Sequence, residues 1–192
     1  TMHNVCKMHS CPYCSHTPMY NLDYYNQYIP FEAEVAYSQD SEASQTKKDK
    51  CPVPLKDCGP QPFVINIEDA SKQNNNFRTA LWTGKHLQVT VMSIGVGEDI
   101  GLEVHPHGDQ FIRIEDGEGI VKMGDSKCKL NYEKRVYDDD AIMIPAGKWH
   151  NVINTGNKPM KVYVIYAPPE HPRGTVHKTK AMAEAAEKKH DY

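Results

Sequence analysis

The feature that most constrains the fold is a short polar motif set between two runs of alternating hydrophobic residues. Residues 105–110 read HPHGDQ, and alternation with a period of two residues precedes them at 87–94 and follows them at 111–114. This period is typical of β-strands that are buried on one face. Because alternate side chains of a strand leave the same face, we expect the imidazoles of His105 and His107 to project together from one strand.

A second motif, PAGKWH at residues 145–150, adds another histidine. Pro145 and Gly147 favour a tight turn, which would present His150 at the start of a strand. Three imidazoles and one amide oxygen form a complete ligand set for one divalent transition metal, which we predict to be Zn, Mn, Fe or Ni. Since the amide is neutral, the charge of the ion would stay uncompensated, which favours Lewis-acid chemistry on a carbonyl or an anionic oxygen.

The residues around the first motif resemble a known family. Residues 97–119 look like the first cupin motif, in which His-x-His is followed by Glu and, after six more residues, by Gly. The last interval is kept from Gln110 to Gly117. Two positions depart from the pattern, since Gln110 stands where Glu is usual and the gap after His107 is one residue short.

The second motif is also similar to its cupin counterpart, which reads Gly, five residues, Pro-x-Gly, two residues, His, three residues and Asn. The matching positions are Asp139, Pro145, Gly147, His150 and Asn154, with Asp139 in place of the opening Gly. The resemblance implies an all-β fold, the double-stranded β-helix or jelly-roll barrel.

The resemblance also implies a metal ion inside this barrel. Its ligands would be His105, His107, Gln110 and His150. A homodimer is the expectation for the family. The family name does not fix the activity, since cupins include isomerases, dioxygenases, sugar-binding regulators and storage proteins.

Composition divides the chain into three parts. Residues 1–60 hold five of the six cysteines and six of the eleven tyrosines, so we interpret them as an extension with little core. Residues 61–172 would form the cupin barrel. In the tail, residues 173–192, Thr179 can cap a short helix over 180–190, where the sequence has high helical propensity.

Charge and hydropathy exclude two classes of partner. The formal net charge is −3, and no run of Lys and Arg with interleaved aromatics indicates nucleic-acid binding. No apolar stretch approaches the roughly 18 residues of a membrane span, and the first twenty residues lack a hydrophobic signal core. We therefore expect a cytoplasmic protein that binds a small molecule or a sugar.

The extension carries a second group of possible ligands, Cys6, Cys11 and Cys14, with histidines nearby. Three interpretations stay open: a reduced, flexible tail, a tetrahedral zinc site, or cross-links to other chains. Together with the tyrosines, this composition resembles that of cross-linked spore coat proteins, which makes the spore coat the alternative location.

Glu103 lies two residues before His105 and would share its inward face. Its carboxylate could serve as a general base, or it could orient an imidazole that binds the ion. Ile112 and Ile114 have the parity of Gln110 and should line the barrel. Three histidines outside both motifs, His86, His171 and His177, are interpreted as polar surface groups, although His86 opens a barrel strand and could reach the mouth of the barrel.

These observations favour a metal-dependent, isomerase-like enzyme that acts on a small, polar, oxygen-rich molecule. The same ligands could instead hold Fe(II) for a dioxygenase reaction. A third possibility is a non-catalytic barrel that binds a sugar or has a structural, spore-coat-like role. No phosphate-cradling Gly-rich loop or arginine pair is evident, so the sequence does not specify a phosphosugar.

Overall fold

The computed structural model describes residues 52–187. The predictions for Cys6, Cys11 and Cys14 lie outside the described residues. Within these residues the elements are, in chain order, α1 (Ile67–Gln73), β1 (Arg78–Thr83), β2 (Gln88–Ile94), β3 (Asp109–Asp116), β4 (Glu118–Gly124), β5 (Tyr132–Tyr137), β6 (Ala141–Ile144), β7 (Trp149–Asn154), β8 (Met160–Ala167), β9 (Val176–His177) and α2 (Lys180–Glu187).

The described strands form two antiparallel sheets. The larger has the order β6-β3-β8-β2-β1-β9, and the smaller has the order β5-β4-β7. Strand β8 pairs with β2 on one side and with β3 on the other, so chain segments far apart in sequence become neighbours at the centre of the larger sheet. The prediction of an all-β double-stranded β-helix is confirmed.

Apolar side chains from both sheets form the main core. Ile112 and Ile114 of β3 are 1% and 0% exposed, as their parity predicts, whereas Phe111 and Arg113, which alternate with them, are only half-buried. Strand β8 shows the same alternation along its length. Burial of one face of each strand therefore fixes the register that brings the functional segments together.

Two helices flank the strands. The sequence did not predict α1, which begins after Asn66, whose side chain accepts a hydrogen bond from the Asp69 N–H at 3.1 Å. Helix α2 confirms the predicted tail helix in its described part, and the Thr179 hydroxyl accepts from the Met182 N–H at 3.3 Å. Neither described helix is long and apolar enough to cross a membrane.

The segment that contains the first motif is not a strand, and this part of the prediction is wrong. Strand β3 begins only at Asp109, and the chain bends at Pro106 and His107. Proline has no N–H to donate to a sheet and a fixed φ, so the alternation of side chains that a strand would impose on residues 105–107 is interrupted there.

Candidate metal centre

Backbone pairing brings Glu103 next to His150, the second residue of β7. The Glu103 N–H donates to the His150 carbonyl at 3.0 Å, and the His150 N–H donates to the Glu103 carbonyl at 2.9 Å. Residues paired directly across two antiparallel strands place their side chains on the same face. A carboxylate and an imidazole from positions 47 residues apart therefore become immediate neighbours.

The turn before β7 connects this pair to His105. Gly147 has φ of 78°, which favours glycine, and its N–H donates to the His105 carbonyl at 2.8 Å. Because Glu103 and His105 are two residues apart in an extended segment, their side chains point to one side. The segment at residues 103–105 and the start of β7 thus bring their carboxylate and imidazole groups together.

Three side chains converge at this place, those of Glu103, His105 and His150. The Glu103 Oε1 lies 3.3 Å from the Nε2 of His105 and 3.3 Å from the Nε2 of His150. All three potential ligand atoms lie within 4.8 Å of one another. Two ligands at about 2.1 Å from an ion in tetrahedral geometry are about 3.4 Å apart, so the spacing suits one small divalent cation.

The hydrogen bond of the His150 Nδ1 determines whether the Nε2 of the same ring can donate or accept a hydrogen bond. Its Nδ1 lies 2.9 Å from the Lys148 carbonyl, which can only accept a hydrogen bond, so the ring carries a proton on Nδ1. In the neutral ring, Nε2 then directs a lone pair at the Glu103 carboxylate 3.3 Å away. Two acceptors in this arrangement repel each other unless they share a cation, either a proton or a metal ion.

His105 is held by carboxylates on both sides. Its Nε2 faces Glu103, and its Nδ1 lies 3.3 Å from the Glu170 Oε1. Burial lowers the pKa of His105, but the hydrogen bonds to Glu103 and Glu170 outweigh it and raise the pKa to about 9. Loss of the Nε2 proton would free this nitrogen for an ion, while Nδ1–H remains on Glu170 and orients the ring.

Glu103 supplies the negative charge of the cluster. Burial raises its pKa, but protons shared with the His105 and His150 Nε2 atoms and the charge of Arg78 outweigh it and hold the pKa well below its ordinary value. The carboxylate is therefore ionised. The cluster offers two imidazoles and one carboxylate, a donor set that suits a transition metal.

Of the four ligands predicted from the sequence, only two lie in the cluster. His105 and His150 lie in the cluster, whereas His107 is exposed on the bend and lies outside it. Gln110 is 4% exposed, and its Oε1 has no hydrogen-bond partner among the described residues. A buried amide oxygen without a donor is uncommon, and it is free to accept a further ligand interaction.

A polar cavity of about 580 Å³ opens beside the cluster. Glu103 and His105 line it, together with Glu170, His171 and His177. The interpretation of His171 and His177 as surface groups is wrong, because the His171 Nε2 and the His177 Nδ1 are both buried and without a partner in the described part of the chain.

No sequence pattern predicts the role of His171, because a residue 83 positions away in the chain holds it. The Gln88 side chain accepts from the His171 N–H at 3.0 Å and donates to its carbonyl at 2.8 Å. The His171 ring meets the Tyr166 ring edge-on, with 5.0 Å between centroids. Gln88 is 0% exposed and lies on the central sheet, so the loop after β8 is fixed over the cavity.

Comparisons with known proteins agree with the fold and the motifs. Residues 90–166 match the family model described as a cupin domain. The uncharacterized protein YrkC of Bacillus subtilis is 61% identical over 179 residues, which cover 92% of this chain and 95% of that protein. The uncharacterized protein L612 of Acanthamoeba polyphaga mimivirus is 38% identical over 117 residues, covering 60% of this chain and 71% of that protein.

A solved structure is also similar to this chain. The crystal structure of BH2720 from Bacillus halodurans has 65% sequence identity and a TM-score of 0.68, and the match covers 68% of this chain and 99% of that chain. The match is therefore one of sequence as well as of fold. The motifs, the two sheets and these relatives lead to one conclusion: the chain belongs to the cupin superfamily.

Proposed function

We propose that this cupin is a metal-dependent, isomerase-like enzyme that acts on a small, polar, oxygen-rich substrate. The single observation that carries the proposal is the shared position of the Glu103 Oε1, at 3.3 Å from both the His105 and the His150 Nε2 atoms. This cluster borders a cavity of about 580 Å³, a volume within the usual range for sites that hold small molecules.

The residues that would hold the ion are Glu103, His105 and His150. Gln110, with its buried and unpartnered Oε1, is proposed as a further ligand. The sequence left Glu103 as either a base or an orienting partner, and its position between two Nε2 atoms supports a third role, that of a ligand. A bound divalent ion would supply Lewis-acid stabilisation of negative charge that develops on a substrate oxygen.

Glu170 is the group that we assign to proton transfer. Its carboxylate lines the cavity, its side chain is 41% exposed, and one of its oxygens accepts from the His105 Nδ1. This contact orients the carboxylate, while its exposure leaves it accessible to a substrate in the cavity. Glu170 would accept a proton from a substrate carbon next to a carbonyl and return it to the neighbouring carbon.

Metal content and hydrogen exchange test the proposal together. We expect natively purified protein to contain about one equivalent of a divalent transition metal by elemental analysis, and the His150→Ala variant to contain almost none. In D₂O, the wild type should incorporate deuterium next to the carbonyl of members of a panel of small hydroxyaldehydes and hydroxyketones. Glu170→Gln should lose this exchange even when it is saturated with metal.

Absence of metal from the wild type, or exchange that persists in Glu170→Gln at the wild-type rate, would contradict the proposal. His107→Ala is the matched control for the histidine substitution, because His107 belongs to the same motif but lies outside the cluster. It should retain both the metal and the exchange activity.

A second function is favoured by the identity of the donors. Two histidines and one carboxylate form the ligand set that non-haem Fe(II) oxygenases use, with open positions for other ligands. We therefore propose a dioxygenase as the alternative. Oxygen uptake that requires Fe(II) and is not supported by Zn(II) or Mn(II) would favour it, whereas exchange in D₂O without oxygen uptake would favour the isomerase.

A further inference from the structure

A buried arginine lies next to the metal cluster and has fewer partners than its burial requires. Arg78 of β1 has a side chain that is 1% exposed, and its ion pair in the described residues is with Glu187 at 3.3 Å. The Glu187 side chain is 54% exposed. The charges of Glu103 and Glu187 both act on Arg78. A buried guanidinium nevertheless needs acceptors for its N–H groups, and one contact with a half-exposed carboxylate leaves part of them without a partner.

The rest of the guanidinium confirms this deficit. The Nε of Arg78 is buried and has no hydrogen-bond partner among residues 52–187. One face of the group lies 5.6 Å from the centroid of the Phe77 ring, a contact that offers no hydrogen-bond acceptor. At least one strong donor is therefore available to a ligand.

The groups around Arg78 are other potential donors. His177 is paired with Arg78 across β1 and β9, and its Nδ1 is buried and unpartnered in the described chain, as is the Nε2 of His171. Burial and the nearby charge of Arg78 lower the pKa of His171 to about 3 and also lower that of His177. Both rings are neutral near pH 7, so each can donate one N–H to an acceptor.

The position of Glu187 shows what kind of ligand fits. Its carboxylate lies on the wall of the cavity and accepts from Arg78, yet it belongs to the exposed end of α2. An oxyanion entering the cavity could replace it without disturbing the core, because the Glu187 side chain can turn into solvent. The Glu187 carboxylate thus binds the Arg78 guanidinium in the way that an anionic ligand from solution would.

We propose that the cavity binds the oxyanion group of a small substrate, a carboxylate or a phosphate, on the Arg78 guanidinium in exchange for Glu187, with N–H donors from His171 and His177. This inference rests on the proposed function for its meaning, because the same cavity borders the metal cluster. It makes the substrate a small anion whose charged end lies at Arg78 and whose reacting end lies at Glu103, His105 and His150.

Calorimetric titration of the whole protein tests this, with inorganic phosphate and succinate as separate probes at constant ionic strength in chloride. We expect saturable binding of at least one probe, and the tighter one identifies the type of oxyanion. Arg78→Lys should weaken binding about tenfold or more, because an ammonium lacks the forked donors of guanidinium. Arg113→Lys, at a guanidinium that pairs with Asp139 and Glu115, is the control and should bind as the wild type does.

Glu187→Gln provides a test that does not depend on a buried position. Removal of the competing carboxylate should tighten anion binding about threefold, in line with the modest strength of a partly exposed ion pair. Glu184→Gln is the matched control, since Glu184 is also 54% exposed and lies one turn earlier on α2. Failure of both probes to saturate, or an unchanged affinity in both Glu187→Gln and Arg78→Lys, would overturn the proposal.

The two proposals fail separately. His150→Ala should lose the metal and still bind the anion at Arg78. Anion binding with the expected variant effects in a protein that takes up no metal would support this inference and refute the proposed function. Metal-dependent exchange without saturable binding of either anion would do the reverse.

Discussion

Two cavities of this molecule differ in almost every respect. The polar cavity, of about 580 Å³, is bordered by the metal cluster, and Arg78 at the start of β1 lies beside it. Leu81 and Trp82 of the same strand line the second cavity, an apolar groove of about 410 Å³. The other residues that line this groove are Pro62, Phe63, Ile65, Ile67, Leu87, Val89, Tyr163 and Ile165.

The difference supports the polar cavity as the place of the proposed chemistry. The groove is lined by side chains that gain free energy simply by leaving water. The polar cavity is instead lined by His171 and His177, each with a buried nitrogen that has no partner in the described chain, and by Glu187, which pairs with the buried Arg78. Buried nitrogens without partners lower the free energy of unfolding, and the proposed ligand would complete their hydrogen bonds. Substitutions in the groove should therefore alter stability, and those in the polar cavity should alter binding.

The largest effect should come from His150. His150→Ala removes one of three converging ligand atoms, and even the outer partners of metal ligands change metal affinity by about 10- to 100-fold. We expect metal affinity to fall by more than about a hundredfold, measured by competition with a chelating dye. His107→Ala should retain the wild-type affinity. A loss of affinity in His107→Ala equal to that in His150→Ala would restore the ligand set expected from the sequence.

The apolar side of the comparison is tested at Leu81, which is 1% exposed and packs with Ala70 and Val91. Leu81→Ala should lower the free energy of unfolding by about 2 kcal/mol, the lower end of the usual range, because the open groove lets its neighbours relax. Denaturant titration measures this change. Metal affinity should stay as in the wild type, and a parallel loss of metal would mean that the two cavities are not independent.

Local pattern predicted the fold well. The alternation at residues 87–94 and 111–114 corresponds to β2 and β3, and the second motif correctly delivers His150 to the start of β7. These features depend on the alternation of side chains along a strand and on the residues that favour a turn. Both are properties of residues that are close together in the sequence. Helix α1 was missed because seven residues give too short a pattern to recognise.

The site was predicted only in part, because its assembly depends on contacts distant in sequence. Glu103 becomes central through its backbone bridge to His150, and His171 through the side chain of Gln88. Pro106 removes His107 from the strand on which the motif would place it. No spacing within the sequence encodes these three events, since each depends on how β2, β7 and the loop after β8 meet.

In the polar cavity, substitution of Glu170 should have an intermediate effect on metal affinity. Glu170→Gln removes the charge that accepts the His105 Nδ1–H but leaves an oxygen that can still accept it. We expect metal affinity to fall about tenfold, the lower end of the range for such outer partners, because the carboxylate is half-exposed. Isothermal titration with Zn(II) measures it, and Glu184→Gln on the exposed face of α2 serves as the control. An increase in affinity would show that Glu170 competes with the ion.

The smallest effect concerns pH. The pKa of His171 is lowered to about 3 by burial and by the charge of Arg78, whereas the unfolded chain should bind that proton near pH 6.5. Between these values the unfolded state binds more protons, so the free energy of unfolding falls as the pH falls. From pH 6.5 to 5.5, the wild type should lose about 1 kcal/mol more than His171→Asn in denaturant titrations. Identical losses would show that His171 is not kept neutral by the fold.

The most direct test of the central claim is a crystal structure of the metal-loaded protein with anomalous scattering measured at the absorption edge of the bound element. We expect one ion that is coordinated by the Nε2 atoms of His105 and His150 and by the Glu103 carboxylate, with His107 remote from it. An ion that is bound by His107 without Glu103, or an ion that lies away from this cluster, would contradict it.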